Sequence, residues 1–381
     1  MSPLQPSRHT RRSFLKDGSV LVGSLSLAPA WLRGQDAPAP ATAEALMRTG
    51  VAFLKPRQEE NGGWSTSRNE PGITALVLTG LLKSKQATPN EPVIRKGLGY
   101  LEQFLRPQGG FDGAHANYTT AITLMAYKEA NAGGTYDSLI KGGQDFLKTM
   151  QWDQSEGKDP KDAFYGGAGY GGSNSRPDLS NTAFMIEALR DTGLPADDPA
   201  LQKALQFVSR CQNFESEFND QPWAGKVNDG GFIYTAANGG QSMASEVEGG
   251  GGGLRSYGSM TYAGFKSMVY AGLSKDDPRV KAALAYIAKN YSVDENPGMG
   301  EKGLYYYYQA FAKAMSALGE DQFTDAQGKK HDWRGELVNA LAKRQTAEGG
   351  WVNPADRFME GDPNLVTAYS LIALAYTRRS S

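Results

Sequence analysis

The stretch that decides the fold is Gly50-Val-Ala-Phe-Leu-Lys-Pro-Arg-Gln58, followed by Asn61-Gly-Gly-Trp64 and the apolar run Ile73-Thr-Ala-Leu-Val-Leu78. In the first and last of these segments the apolar residues recur at helical spacing, and the Gly-Gly pair between them permits a tight turn. The pattern predicts a helix that keeps some charged residues, a short loop, and a second helix that is apolar on every side.

The same order of segments returns five more times along the chain. One alanine in each second segment marks the unit: Ala75, Ala121, Ala183, Ala263, Ala310 and Ala368. The intervals between these alanines run from 46 to 80 residues, and the longest contains a Gly-rich insertion. A recurring interval of this kind indicates stacked supersecondary units.

The two helices of a unit differ in their charge. First helices contain Lys, Arg and Glu among their apolar residues, whereas second helices are nearly uncharged. An amphipathic helix faces solvent and a helix that is apolar all round is buried, so the second helices belong inside a ring of first helices. We therefore predict an all-α fold over residues 44–381: a single (α/α)6 toroid of six helix pairs, with Trp64 and Trp351 packed between its two layers.

The N-terminal residues carry an export signal. Thr10-Arg-Arg-Ser-Phe-Leu-Lys16 is a complete twin-arginine motif, and a short apolar stretch leads from it to the small-residue site Ala28-Pro-Ala30. We predict a signal peptide over 1–35, a linker over 36–43, and export by the twin-arginine pathway to the periplasm or another extracytoplasmic location. The apolar stretch is shorter than the ~20 residues that a membrane-spanning helix needs.

The net charge and the cysteine count indicate which partners and cross-links to expect. The whole chain has a net charge of −1, and loss of residues 1–35, with five basic residues and one acid, makes it −5. This balance argues against a nucleic-acid partner. Cys211 is the only cysteine, so we expect no intrachain disulfide and interpret Cys211 as a small buried apolar residue. The sequence gives no indication of the oligomeric state.

The motif that runs from Gly50 to Gln58 and on to Trp64 resembles the glutamine–tryptophan repeat of squalene–hopene and oxidosqualene cyclases. The same repeat family includes the β-subunits of protein farnesyl- and geranylgeranyltransferases, which a single six-unit ring matches in size. Weaker copies occur in all later units, so the resemblance covers essentially the whole chain after the signal peptide. It implies the α/α toroid of terpenoid cyclases and protein prenyltransferases, and the repeat itself carries no chemistry.

The resemblance also implies catalytic residues, but the set of the cyclases is incomplete. These enzymes carry Asp-x-Asp-Asp-Thr-Ala, with the middle Asp as proton donor, where this chain has Asp178-Leu-Ser-Asn-Thr-Ala183. The donor position is therefore Ser180, whose hydroxyl is too weak an acid to protonate an alkene or epoxide. Asp178 has two interpretations: an N-cap of the helix that follows, or a relocated general acid with a raised pKa in an apolar bore.

The zinc site of the protein prenyltransferases is absent as well. Its Asp, Cys and His positions fall on Tyr257, Ser259 and Val366. The histidines that follow the signal peptide, His115 and His331, are isolated in the sequence and are more often surface or core residues than metal ligands. We expect no metal and no cofactor.

Aromatic residues of the second helices in units four and five are the candidate ligand-binding residues. We select Tyr257, Tyr262, Tyr305 and Tyr308, because aromatic rings line apolar cavities and stabilise cations. The leading hypothesis is an exported, terpenoid-cyclase-like toroid that binds an isoprenoid or other apolar ligand in its bore, with or without transforming it.

Two other functions stay open at this stage. One is a non-catalytic scaffold that binds a protein or envelope polymer. The other is a carbohydrate-active toroid in which two carboxylates do acid/base work. Its candidate carboxylates precede the second helices: Asp112, Asp178, Asp229, Glu246 and Glu360. The run Gly249–Gly253 is a candidate lid over one mouth of the bore.

Overall fold

A computed structural model describes residues 41–68, 71–107, 109–111, 113–171, 175–244 and 251–379. The predicted signal peptide, most of the predicted linker, Asp112, Glu246 and part of the predicted lid lie outside these residues. Within them the protein is all-α, as predicted, apart from a small antiparallel hairpin of Phe323–Thr324 (β1) and Lys330–His331 (β2). No helix of these segments has the length and apolar character needed to cross a bilayer.

The first helix of each pair lies on the outside of the molecule. These outer helices are Ala43–Leu54 (α1), Pro92–Glu102 (α3), Asp137–Thr149 (α5), Pro199–Arg210 (α7), Pro278–Lys289 (α10) and Trp333–Arg344 (α12). Several begin at an acidic residue followed by proline. Asp198 and Asp277, for example, each accept a hydrogen bond from a backbone N–H of the first turn, and proline fits the first helical position.

The second helices form a closed inner ring. They are Gly72–Lys83 (α2), Ala116–Ala130 (α4), Leu179–Asp191 (α6), Gly258–Tyr270 (α9), Leu304–Leu318 (α11) and Pro363–Tyr376 (α13). Each packs against the next in this order, and α13 packs against α2, so the ring closes. The six helix pairs therefore form the predicted (α/α)6 toroid. A short helix, Ala224–Val227 (α8), lies in the insertion of the fourth unit.

Short 3-10 turns complete the helical structure of the loops. They span Lys55–Arg57, Thr66–Arg68, Ala132–Gly134, Gln154–Glu156, Ala237–Gly239 and Arg357–Met359.

A repeated threonine joins each Gly-rich loop to its inner helix. In the first unit the Trp64 backbone N–H donates to Thr74 Oγ1 at 2.9 Å, and in the last unit that of Trp351 donates to Thr367 Oγ1 at 3.0 Å. Equivalent bonds reach Thr120, Thr182 and Thr261. This bond explains why a threonine recurs in the first two turns of the inner helix in five units. It directly precedes the marker alanine in four of them, whereas Tyr262 stands between Thr261 and Ala263. The fifth unit has Gln309 instead, and its buried Oε1 has no partner among the described residues.

A repeated glutamine joins four of the units, the first, third, fourth and sixth, to the unit that follows. The side-chain amide of Gln58 donates to the carbonyl oxygen of Gly62 in its own unit and to that of Val93 in the next outer helix. Gln151 and Gln212 make the same pair of bonds. Gln345 of the sixth unit donates to Gly349 O and to Thr49 Oγ1 of the first unit. The motif that identified the repeat is thus a junction between units.

The glycine of the repeat is required for close packing. A Cβ on Gly50 would lie 2.9 Å from Cζ3 of Trp351, and one on Gly97 would lie 3.1 Å from Cζ3 of Trp64. Both indole rings are fully buried, which confirms their predicted place between the two layers. Each tryptophan therefore packs against the outer helix of the following unit, and Trp351 does so across the junction where the ring closes.

Candidate functional site

The inner helices surround a cavity of about 400 Å³ at their N-terminal ends. All six contribute side chains from their first two turns: Leu76, Tyr118, Ser180, Met260, Tyr306 and Tyr369. The ring brings these N-termini together because every second helix runs in the same direction along the bore. The cavity therefore exists only when all six units are assembled.

The wall of the cavity is aromatic and apolar with scattered hydroxyl groups. Its tyrosines are Tyr118, Tyr170, Tyr234, Tyr257, Tyr306 and Tyr369. The His115 imidazole also lines it and packs edge-on against the Tyr170 ring, with centroids 5.1 Å apart. None of the described residues in the wall is Asp, Glu, Lys or Arg.

The cavity reaches the surface at Tyr170 and Phe358, whose side chains are 39% and 48% exposed. Phe358 and Met359 both line the cavity and both have positive φ angles, 70° and 65°. Such angles are unfavourable for residues with a Cβ, and strained backbone of this kind concentrates at functional sites. The Arg357 guanidinium lies over the Phe358 ring and within 3.8 Å of the Met243 sulfur, which belongs to another loop of the mouth.

Only one of the four tyrosines predicted from the sequence lines this cavity. Tyr257 does, from the N-cap of α9. Tyr262 instead packs among the aromatic rings between α9 and α11, and the Tyr308 hydroxyl donates to Val293 O. Tyr305 packs edge-on against Tyr308. Of the run 305–308 it is Tyr306 that faces the cavity, because successive residues of a helix point about 100° apart.

Asp178 is the N-cap of α6. This is one of the two roles that the sequence suggested for it. Its carboxylate accepts the Asn181 backbone N–H at 2.8 Å and the Asn181 side-chain amide at 2.9 Å. Burial raises the pKa of Asp178 to about 6, although these hydrogen bonds oppose the shift. Ser180, at the donor position of the cyclase motif, does line the cavity, and its hydroxyl lies 2.9 Å from that of Tyr306.

The other carboxylates proposed for sugar chemistry have structural partners. Asp229 accepts from the Gly231 N–H and the Ser256 hydroxyl. Glu360 accepts from the Tyr306 N–H at 2.8 Å, in the first turn of α11. Neither residue lines the cavity. Asp112 and Glu246, the remaining candidates, lie outside the described residues.

The positions that align with the prenyltransferase zinc ligands do not form a metal site among the described residues. Tyr257 and Ser259 line the cavity, whereas Val366 is buried in α13. His331 packs between carboxylates, with contacts of 3.0 Å to Asp325 and 2.9 Å to Glu336. In the part of the chain that the structure describes, no three His, Cys, Asp or Glu side chains converge as metal ligands would.

Cys211 is fully buried at the C-terminal end of α7, and its burial raises the pKa of the thiol. Both observations agree with its interpretation as a small apolar residue.

The deeper half of the bore is filled by side chains. Phe184 lies one turn beyond Ser180 on α6, and its ring is 4.5 Å from that of Tyr118. Beneath it the Lys313 ammonium lies 5.5 Å from the Phe184 ring and 2.6 Å from Glu187, which also pairs with Lys266. All three charged residues are buried. The bore thus has an open aromatic cavity at one end, and towards the other end it is filled by Phe184 and the buried ion pairs of Glu187.

The fold is similar to solved toroid enzymes. A type II terpene cyclase, MstE from Scytonema, aligns with a TM-score of 0.51 and 14% identity over 87% of this chain and 97% of its own. A possible member of the GH105 family from Salmonella enterica has a TM-score of 0.53 and 11% identity over 93% and 98% of the two chains. A D-mannose isomerase has a TM-score of 0.54 and 13% identity over 88% and 96%.

No protein-family model and no curated protein matches the sequence. At these identities the similarity establishes the terpenoid-cyclase-like α/α-toroid fold, and the site must be interpreted from its own residues.

Proposed function

We propose that this chain is an exported toroid that binds an isoprenoid or similar apolar ligand in the cavity at the N-terminal end of its bore. The observation that carries the proposal is the cavity itself, about 400 Å³ in volume and lined by all six inner helices. Pockets of this size, mainly apolar with a few polar groups, are typical of small-molecule sites. The export part of the proposal rests on the twin-arginine motif alone.

The ligand class is supported by the walls and by one similar structure. Aliphatic side chains such as Ile73, Leu76 and Ile122 line the cavity together with aromatic rings, and burial of a branched hydrocarbon against such a surface is favourable. The type II terpene cyclase MstE has been solved with geranylgeranyl dihydroxybenzoate as its substrate. That complex supports an isoprenoid-sized occupant for a cavity at the centre of such a toroid.

The residues of the cavity favour binding over proton-initiated cyclisation. Ser180 provides a hydroxyl where the cyclase motif has its acid, and a hydroxyl is about ten pKa units weaker, on the order of 13 kcal/mol. Asp178 is committed to capping α6 and does not line the cavity. We therefore propose that squalene and oxidosqualene are returned unchanged after incubation with the protein.

A sugar-converting function receives less support, although a D-mannose isomerase shares the fold. Acid/base work on a sugar usually needs carboxylates that face each other across the site. Asp229 and Glu360 are held in hydrogen bonds outside the cavity wall. The aromatic wall and the partners of these carboxylates both favour an apolar ligand.

The test is equilibrium dialysis of the purified protein against radiolabelled geranylgeraniol. We expect saturable binding with one site per chain. Ile73→Trp should weaken binding at least tenfold, because the indole would occupy the cavity from the first turn of α2. The matched control is Val352→Trp, at an exposed site that does not line the cavity. Circular dichroism should show that both variants keep the helical fold.

Two outcomes would contradict the proposal. Absence of saturable binding by the folded protein would favour the scaffold function. Equal affinity of the Ile73→Trp variant and the unmodified protein would place the ligand outside the cavity. Recovery of a cyclised product from squalene or oxidosqualene would leave the binding site in place but contradict the proposal that both are returned unchanged, and it would direct attention to Asp178 as the acid.

A further inference from the structure

Four of the hydroxyl-bearing residues in the cavity wall contact one another in turn, from α6 to α11, α13 and α4. The Ser180 hydroxyl on α6 lies 2.9 Å from the Tyr306 hydroxyl on α11. The Tyr306 ring packs edge-on against that of Tyr369 on α13, whose hydroxyl interacts with that of Tyr118 on α4. We call these four residues, Ser180, Tyr306, Tyr369 and Tyr118, the hydroxyl bridge. All four line the cavity.

Buried side chains pack against the hydroxyl bridge on the side away from the mouth of the cavity. Phe184, one turn deeper on α6, packs against the rings of Tyr118 and Tyr306 at centroid distances of 4.5 and 6.2 Å. Beneath Phe184 the buried Lys313–Glu187 pair closes the bore. A ligand that enters from the mouth at Phe358 therefore meets the bridge before it meets the filled half of the bore.

The bridge offers neutral hydrogen bonds. Each tyrosine hydroxyl is one donor and up to two acceptors. Burial raises the pKa of Tyr118, Tyr306 and Tyr369 above the ordinary tyrosine value, so these hydroxyls carry no charge at physiological pH. The hydrogen bond between Ser180 and Tyr306 uses the hydrogen of one of the two hydroxyl groups. The hydrogen of the other hydroxyl and the remaining lone pairs can bind a ligand oxygen.

The surroundings of the bridge disfavour an anionic group. The N-terminal turns of three inner helices that face the cavity are already capped by carboxylates: Asp178 on α6, Glu360 on α11 and Asp362 on α13. These acids occupy the backbone N–H groups that would otherwise attract a phosphate or carboxylate. A diphosphate buried beside them would meet like charge and no Lys or Arg from the described wall.

We propose that the cavity selects ligands with an apolar skeleton and one neutral oxygen, an alcohol, ketone, ether or ester, which hydrogen-bonds to the Ser180–Tyr306 pair. The inference rests on the proposed function and adds to it the chemistry and orientation of the ligand. The oxygen lies at the hydroxyl bridge, and the hydrocarbon extends along Ile73, Leu76 and Ile122 towards the mouth.

The experiment compares three probes with one skeleton: geranylgeraniol, geranylgeranyl diphosphate and the hydrocarbon that lacks the oxygen. The alcohol should bind about three- to tenfold more tightly than the hydrocarbon, the range for one net hydrogen bond. The diphosphate should bind more weakly than either, because its charges would be buried without a counter-ion.

Tyr306→Phe should abolish the preference for the alcohol and leave the affinity for the hydrocarbon unchanged, because it removes one oxygen and keeps the ring. Ser180→Ala should act in the same way. The matched control is Tyr127→Phe on the same ring of helices: Tyr127 is buried outside the cavity, and its hydroxyl has no hydrogen-bond partner among the described residues. This variant should keep the full preference.

The outcomes separate this inference from the proposed function. Failure of all three probes to bind would contradict the binding function itself. Equal binding of alcohol and hydrocarbon, or a preference that survives Tyr306→Phe, would overturn the neutral-oxygen anchor while the cavity remains a binding site. Tightest binding of the diphosphate would overturn it as well.

Discussion

At the scale of single residues, two of the acids that the sequence suggests as catalytic candidates accept hydrogen bonds from the backbone. Asp178 and Glu360 each accept a backbone N–H in the first turn of an inner helix. Capping satisfies a donor that has no partner within the helix, and the negative charge complements the helix dipole. Acids cluster around the cavity because six helices begin there, and this position alone makes them resemble catalytic groups in sequence.

The raised pKa of Asp178 gives a prediction about pH. Because its pKa is about 6 in the folded protein, against an ordinary value of 3.8, the folded state binds this proton more tightly than the unfolded state. The contribution to stability is complete below pH 4, is lost as the pH rises through 6, and amounts to about 3 kcal/mol. Asp178→Asn cannot ionise and still caps the helix, so it should remove this part of the pH dependence.

Urea unfolding of both proteins at pH 4.5 and pH 7.5 measures the effect. The control is Asp277→Asn, the same change at the N-cap of an outer helix. A hydrogen bond from Arg279 lowers the pKa of Asp277, so its contribution has the opposite sign and is lost as the pH falls. An unchanged pH dependence in Asp178→Asn would show that Asp178 ionises at its ordinary pKa.

At the scale of helices, three inner helices are joined by buried charge. Glu187 of α6 pairs with Lys266 of α9 and with Lys313 of α11. Burial alone would raise the pKa of Glu187, but the two ammonium groups lower it, and burial lowers the pKa of Lys313. Glu187 therefore pairs directly with two buried lysines and links the three helices.

Glu187→Gln should destabilise the protein by about 3–5 kcal/mol, because two buried ammonium groups lose the carboxylate that they contact directly. Glu129→Gln is the control: Glu129 pairs with Lys83 of α2, both are partly exposed, and such pairs contribute about 0–1 kcal/mol. Thermal and chemical unfolding report both values. Replacing Glu187 by Leu together with Lys266→Met and Lys313→Met should restore much of the loss. Similar stability of the two single variants would mean that water reaches the ion pairs.

At the scale of the whole molecule, the first and last helix pairs contact each other and close the ring. Gln345 of the last unit bonds to Thr49 of the first, Trp351 packs on Gly50, and α13 packs on α2. A linear repeat array can fray from either end, because each unit contacts only its neighbours. In this ring the first and last units are neighbours too, so the described toroid should unfold as one unit.

Gln345→Ala tests the closing junction. It should lower the free energy of unfolding by about 1–2 kcal/mol, since it removes bonds to Gly349 and Thr49. Gln58→Ala, at the junction of the first and second units, should cost about as much. Gln103→Ala, at an exposed site, is the control. If Gln58→Ala destabilises the protein and Gln345→Ala does not, the closing junction contributes no stability.

The sequence by itself determined the architecture, because the repeat can be recognised from the order of neighbouring residues. Helical spacing, Gly-Gly turns and the contrast between charged and uncharged helices are properties of neighbouring residues, and they predicted the helix pairs and which of them lie inside. The same motif predicted that Trp64 and Trp351 are buried. An N-cap was one of the two interpretations of Asp178 that the sequence left open, since an acid before an inner helix is a local signal.

The tertiary structure alone decided which residues meet at the site. The inner helices have buried residues on all sides, so their sequences do not show which direction faces the bore, and a rotation of about 100° separates Tyr306 from Tyr305. The Ser180–Tyr306 contact joins residues 126 positions apart, and no local pattern connects them. Packing around the closed ring sets the rotation of each helix. For that reason the fold could be predicted from the sequence, whereas the hydroxyl bridge and the half-filled bore could not.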